Sequence, residues 1–379
     1  MQAGAARGQL ARCLVFAGPQ GTGRRTSALA LAKWLHCETK PAPISFCGEC
    51  RACRLIEQDM YSDVLRLRPP LFTRRDHPWL VWESHRKAES APKDSLQVSI
   101  VQARNMRADA AVAPAEGACK IYVIEGADAM QLEANDTLLK VLEEPPSYAY
   151  FCLIAESPAA LRPTILSRAR VVRFFSLPEE VVQRLVREEA PEAAERAEEI
   201  AGYAGGSPGG ALQMAREPGL LAIADEAREI LGRALSGDQL MALRDAARMR
   251  AMAAEWFRLR YQPSAEGEEG AEEELDGEEV PPAAAGGKRR KMPSAAVRLG
   301  AIQMVDLLGN VLRAALRRGP LGGTIRALGA DGNSAMACAF TILSESRAAL
   351  EANANLASCL SAMLLRVAGM ALEHQAASE

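Results

Sequence analysis

The sequence predicts an α/β domain built on a parallel sheet with helices on both faces, followed by an all-helical remainder. Three observations carry that expectation. Short apolar runs alternate with segments of helical period over residues 1–176. A glycine-rich turn, Gly18-Pro-Gln-Gly21-Thr-Gly23, joins the first apolar run to the first helical segment. Strand signals disappear after Leu177-Pro178, and only helical patterning continues.

In chain order, Cys13 to Ala17 reads as a buried strand, and Thr26 to Leu35 has helical spacing at Leu29, Ala32 and Leu35. A cysteine cluster follows, then a strand at Val64 to Leu67. Residues 69–95, rich in Pro, Arg and Trp with no clear period, read as an insertion or long loop. Val98 to Ala110 reads as helix, and Ile121 to Ile124 as a buried parallel strand before an acidic residue. Leu132 to Leu142 is helical and stops at Pro145-Pro146. Phe151 to Ala155 and Val171 to Phe175 complete the strands. Pro178 to Leu235 reads as short helices around Gly205-Gly206-Ser207-Pro208-Gly209-Gly210, and Asp238 to Arg260 as one helix. Residues 262–294 hold nine acids between Glu266 and Glu279, then Pro, Ala and Gly, then Lys288-Arg289-Arg290-Lys291. Such a like-charge block buries too little surface to order itself, so a disordered insertion is expected. Ala295 to Arg318, Ser334 to Ala352 and Leu356 to His374 read as the closing helices.

A chain of 379 residues exceeds one ordinary core, so two or three domains are expected. The net charge of -3 does not advertise nucleic-acid binding by the chain as a whole. No run approaches roughly 18 uninterrupted apolar residues, and Met1 to Leu10 lacks a secretory layout, so a cytoplasmic protein without membrane contact is expected. Of the nine cysteines, four cluster between Cys37 and Cys53; the other five, scattered among apolar residues, are expected to be small core residues.

Four motifs carry chemistry. A phosphate loop needs glycines so that backbone N–H groups can wrap phosphates, then a Lys for the phosphates and a Ser/Thr hydroxyl for magnesium. Gly18, Gly21 and Gly23 have the spacing, but Arg24 stands at the Lys position and Arg25 at the hydroxyl position. Thr26 is one residue late, about 100° further round a helix. A second fixed cation at the metal position is hostile to Mg-ATP; ADP or bare phosphate remains open, as does a turn with no ligand. In Ile121-Tyr-Val-Ile-Glu125-Gly126-Ala127-Asp128, Glu125 can stand for a magnesium-binding carboxylate, but Gly126 supplies no general base. Asp128 is expected to cap a helix. Cys37, Cys47, Cys50 and Cys53, spaced C-x9-C-x2-C-x2-C, suit a closed tetrahedral zinc site of structural type. His36 is expected on a helix surface. The fourth stretch, Leu161-Arg162-Pro163-Thr164-Ile165-Leu166-Ser167-Arg168-Ala169, is uninformative taken alone.

Together these stretches, with Asn135-Asp-Thr-Leu-Leu-Lys140-Val-Leu-Glu-Glu144-Pro-Pro146 and Ser344-Glu-Ser-Arg347-Ala-Ala-Leu350-Glu-Ala-Asn353-Ala-Asn355, resemble the bacterial clamp-loader family of AAA+ proteins. The resemblance covers nearly the whole chain except 69–95 and 262–294. It implies a degenerate P-loop AAA+ domain at 1–176 with a zinc module at 37–53, a helical lid at 177–235, and an all-α collar at 236–379. It also implies a place in the DNA polymerase III holoenzyme: a hetero-pentamer with gamma/tau and delta subunits, reaching the sliding clamp and primer-template DNA through the complex. The departures at Arg24-Arg25, at Gly126, and at Gly209, where an active subunit would carry a phosphate-sensing Arg, resemble the non-hydrolysing delta-prime branch. Ser167-Arg168-Ala169 keeps the arginine that acts on a neighbour's ATP, with Ala in place of the family's Cys. The family usually carries a helix before the first strand; only about a dozen residues precede Leu14 here, which implies a misassigned start or an incomplete adenine pocket.

The expectation is therefore a subunit without ATPase activity of its own that donates Arg168 in trans. Two alternatives stand beside it. One is an active gamma/tau-type ATPase in which Arg24 replaces Lys and Glu125 acts alone. The other is a DNA-binding module using Arg74, Arg75, Trp79, Trp82, Arg86 and Lys87.

Overall fold

Every residue of the first strand, β1 (Cys13–Ala17), is apolar and buried, because helices cover both faces of its sheet. The computed structural model describes residues 10–42, 45–72, 81–83, 88–90, 95–261, 293–318 and 332–376. After β1 come α1 (Arg24–His36), α2 (Arg51–Glu57) and β2 (Val64–Leu67). Within 69–95, expected as loop, β3 (Val81–Glu83) and β4 (Ala88–Ser90) pair antiparallel as a separate two-stranded sheet. The chain continues through α3 (Ile100–Ala110), β5 (Lys120–Glu125), α4 (Leu132–Glu143), β6 (Ala149–Ala155), the one-turn α5 (Pro163–Leu166) and β7 (Arg170–Arg173). The main sheet has the order β2-β5-β6-β1-β7, with every pairing parallel.

Strand alternation sorts the core into two layers. Cys13, Val15 and Ala17 face one side with Tyr122, Ile124, Phe151 and Leu153, against Met106 of α3 and Leu138 of α4. Leu14 and Phe16 face the other with Ile121, Val123, Cys152 and Ile154, against Ala28 and Leu31 of α1 and Ile56 of α2.

Local sequence sets the boundaries. Ser99 caps α3 through a reciprocal pair with Gln102, which leaves Val98 outside the helix, bridged to Met130. The expected run to Phe175 ends at Arg173, and Phe175 is exposed. Asp128 does not cap a helix: Gln131 precedes α4, and Asp128 Oδ2 instead accepts the Glu156 N–H at 2.6 Å.

The remaining elements are α6 (Glu179–Glu189), α7 (Ala197–Ala204), α8 (Pro208–Arg216), α9 (Pro218–Leu235), α10 (Gln239–Tyr261), α11 (Ser294–Arg318), α12 (Gly332–Glu351) and α13 (Leu356–Ala376). The 18 residues of α9 form one continuous helix rather than short pieces, because Pro218 opens it and no further proline interrupts it. By contacts the chain divides into two units, Met1–Glu189 with Gly205–Leu212, and Ala190–Ala204 with Gln213–Glu379. In the second unit α10 packs on α11 and α13, and buried Asp245 takes a two-pronged bond from Arg233 at 2.8 and 3.0 Å. The helical segments Ser294–Arg317 and Leu356–His374 have the length and apolar content of a membrane span, as core helices also do. The residues 262–292 of the expected acidic insertion lie outside the described residues.

Candidate functional site

The glycine-rich loop leaves β1 and feeds α1, whose N-cap is Gly23 in the left-handed region with no side-chain cap. Arg24, the first residue of α1, is 9% exposed. Its NH1 donates to the carbonyl oxygen of Ala155, at the end of β6, at 2.5 Å. Burial pulls the Arg24 guanidinium below its ordinary value, opposed by the carboxylates of Glu156, Asp128 and Glu125. The side chain is thus spent on the fold at the position where a Lys would reach for phosphate. Arg25 and Thr26 are exposed.

Glu125, at the end of β5, is equally committed. Its Oε1 accepts from Arg66 NH2 at 3.0 Å and from Arg68 Nε at 3.3 Å. Asp59 adds a second acid to the pair, 3.5 Å from Arg66 and 3.0 Å from Arg68. The Arg66 side chain is 8% exposed, and those of Glu125, Arg68 and Asp59 are 21%, 26% and 38% exposed, so the network is buried at its Arg66 end and opens to solvent at Asp59. A magnesium ion at Glu125 would sit beside two guanidinium groups that already bond the carboxylate through Oε1. Gly126 has φ +71, a backbone conformation that a Glu adopts only with strain, so the missing general base is a matter of backbone as well as side chain.

The turn before α8 covers the loop from outside. Ser207 caps α8 by accepting the Gly210 N–H at 3.1 Å, with Pro208 at the first helical position. Gly209 N–H donates to the Gly21 carbonyl at 2.9 Å. A Cβ on Gly209 would lie 3.1 Å from that oxygen, and one on Gly21 would lie 2.1 Å from Ser207 Oγ. The two backbones approach this closely only because both residues are glycine.

Arg168 has a different setting. It follows α5, which is held down by fully buried Ile165. Its side chain is 38% exposed. NH1 donates to Thr164 O at 3.0 Å and to Ser167 Oγ at 3.2 Å, and NH2 donates to Glu143 Oε1 at 3.3 Å. Ser167 Oγ donates to Thr164 O at 3.0 Å.

Cys37, Cys47, Cys50 and Cys53 come together with all four sulfurs within 4.8 Å of one another. The Cys37 and Cys47 sulfurs are 3.7 Å apart, close to the roughly 3.8 Å edge of a tetrahedron of thiolates around zinc. The sulfurs accept backbone N–H bonds from Lys40 and Cys47 (to Cys37), from Glu49 and Cys50 (to Cys47), and from Cys53 (to Cys50). Such bonds stabilise thiolate charge, so the donor set fits a metal ion. His36 is not part of the cluster and not on a surface: it is buried, against Tyr61 and Cys119.

Of the residues singled out from sequence, the structure brings the four cysteines together; it also ties Glu125 to Arg66 and Arg68, those arginines to Asp59, and Arg168 to Glu143, contacts not anticipated from sequence. The signal for Arg66 was present, since an Arg inside a run read as a strand, Val64 to Leu67, calls for an acid partner. Of the basic and aromatic set proposed for DNA, Arg74, Arg75, Trp79, Arg86 and Lys87 lie outside the described residues; Trp82 falls in β3.

Residues 1–178 match the family model for DNA polymerase III, delta subunit. The DNA polymerase III subunit delta' of Pseudomonas aeruginosa is 32% identical over 204 residues, 53% of this chain and 55% of that protein. Subunit delta' of Bacillus subtilis is 30% identical over 183 residues, 48% of this chain and 47% of that protein. Subunit tau of Escherichia coli is 30% identical over 165 residues, 44% of this chain and 22% of that protein. The chain thus spans about half the length of these delta' relatives. A gamma subunit-related protein from Thermotoga maritima superposes with TM-score 0.44 at 16% identity, covering 100% of this chain and 99% of that one.

Proposed function

Starting from a first half that is delta'-like in the clamp-loader sense, we propose that this chain is a non-hydrolysing subunit of a sliding-clamp loader in DNA replication. In this reading it presents Arg168, steadied by Ser167, to ATP held by a neighbouring subunit. Its own loop, Gly18 to Thr26 with Glu125, turns over no nucleotide. Residues 177–235 act as lid and 236–379 as collar, where gamma/tau and delta partners join a cytoplasmic hetero-pentamer. The clamp and primer-template DNA are met through that complex. Cys37, Cys47, Cys50 and Cys53 hold structural zinc.

One contrast carries the reading. At the chain's own loop Arg24 is 9% exposed and bonds the Ala155 carbonyl, and Glu125 is held by Arg66 and Arg68, whereas Arg168, though bonded to Thr164, Ser167 and Glu143, keeps a side chain 38% exposed. A guanidinium so placed can neutralise charge developing on a transferred phosphoryl group, an effect worth about 10³–10⁵ in related enzymes.

The test is a loader reassembled from cognate partners, with this chain native or Arg168→Ala. DNA- and clamp-stimulated ATP turnover should fall at least about tenfold with the variant. Unchanged turnover would remove the trans role. ATP hydrolysis by the purified chain alone, abolished by Arg24→Ala, would favour the gamma/tau-type alternative.

A further inference from the structure

Arg168 is one of two arginines that bracket α5, and both are held by the same helix. Arg162, the N-cap residue of α5, places NH1 2.5 Å from Asp136 Oδ1. Arg168, just past its C-cap, places NH2 3.3 Å from Glu143 Oε1. Asp136 and Glu143 both lie on α4, seven residues apart. Two turns of helix return a side chain to nearly the same angular position, so the two acids form one stripe. Between the two ion pairs, Ile165 is fully buried, in the same core layer as Leu138 and Leu142 of α4. The segment is thus fixed at three points to one helix: an ion pair, an apolar plug and a second ion pair.

From this arrangement we propose that Glu143 and Asp136 are positioning residues for Arg168, with Glu143 setting the direction of its guanidinium and Asp136 setting the pitch of the turn that carries it. The proposal rests on the trans role given to Arg168 above. NH1 is tied to the Thr164 carbonyl and the Ser167 hydroxyl, both local to the turn. Among the described residues Glu143 is the partner of NH2, a third point that holds the planar fork before any phosphate arrives. A long, flexible side chain that is already oriented loses less freedom when it engages a transition state. Both pairs are half-exposed, with side-chain exposures of 38% and 54% for Arg168 and Glu143. An exposed pair of that kind supports a modest effect, on the order of two- to fivefold, rather than an all-or-none one.

The experiment uses the complete reassembled loader, with this chain native, Glu143→Gln, Asp136→Asn, Arg168→Ala, or Glu143→Gln with Arg168→Ala. Incorporation of each variant is checked by size exclusion, and kcat and KM for ATP are measured with clamp and primed DNA. Glu143→Gln should lower kcat about two- to fivefold with KM nearly unchanged, and Asp136→Asn should lower it less. In the Arg168→Ala background, Glu143→Gln should change nothing further, since a positioning residue acts only through the group it positions. An equal loss in both backgrounds would overturn the proposal, because Glu143 would then be serving the fold. So would a rise in turnover, which would make Glu143 a competitor of phosphate for the arginine, or no change at all. If Arg168→Ala itself has no effect, the reading of the previous subsection has failed and this one falls with it.

Discussion

Arg24 of the glycine-rich loop bonds the carbonyl of Ala155, 131 residues further along the chain, at 2.5 Å. That contact joins the start of α1 to the end of β6, the two sides of the crevice in which an open parallel sheet of this type places its ligands. There Arg24 is bonded to backbone and Glu125 to Arg66 and Arg68, and the first prediction concerns a nucleotide at this place. Titration calorimetry of the chain with Mg-ATP should give no binding tighter than about millimolar. Arg24→Lys with Arg25→Ser should not restore it, because Arg66 and Arg68 still hold Glu125. Micromolar affinity in that double variant would place the whole block in the loop.

Glu125 should matter to stability even though it catalyses nothing. Glu125→Ala leaves buried Arg66 with Asp59 at 3.5 Å as its remaining acid. Breaking a buried pair costs about 3–5 kcal/mol; with Glu125 itself 21% exposed, we expect about 1–3 kcal/mol. The same loss should appear as weakened hydrogen-exchange protection along β2 and β5, and full protection in the variant would contradict it.

Asp63 accepts three backbone hydrogen bonds. It is fully buried, and its two oxygens accept the N–H groups of Ala115, Glu116 and Gly117 at 2.6–2.7 Å. Burial pushes its carboxyl up, but those N–H groups push it down further, so the net shift is below the ordinary carboxylate value. A depressed folded value means that the stabilisation is complete above the unfolded value, near about pH 3.9, and drains as pH falls below it. Asp63→Ala should cost about 2–4 kcal/mol at neutral pH and expose the Ala115–Gly117 amides to exchange. A native-like pattern at those three amides would refute the assignment.

The cysteine cluster should take up one zinc ion per chain. Removal with a strong chelator should loosen residues 37–57 while leaving the sheet protected, since no strand supplies a ligand. Cys50→Ser should bind zinc far more weakly. Equal metal content in native and variant protein, by elemental analysis, would show that the four sulfurs do not act together.

The alternation of strand and helix was legible because buried parallel strands are apolar throughout, and Cys13 to Ala17 and Phe151 to Ala155 fell where expected. The cysteines were legible because their spacing is local. What escaped was pairing across long separations: Arg66 with Glu125 is a contact between residues 59 apart, and Arg168 with Glu143 one between residues 25 apart. No local pattern marks either partner. Asp128 misled for a related reason. Its position before a helix matched a cap, yet the nearer competitor was the N–H of Glu156, brought in by the neighbouring strand. His36 misled because polarity suggested solvent, while Tyr61 and Cys119 close over it.

The network of Arg66, Arg68, Asp59 and Glu125 differs from a bound metal in one further respect. All of its members belong to a single polypeptide, so it has no dissociation constant. It cannot be diluted, chelated or outcompeted, and the end of β5 keeps the same charges whether free magnesium is scarce or plentiful and whichever way the adenylate pool swings. The charge at that strand end is therefore set by folding alone and not by the supply of any ligand.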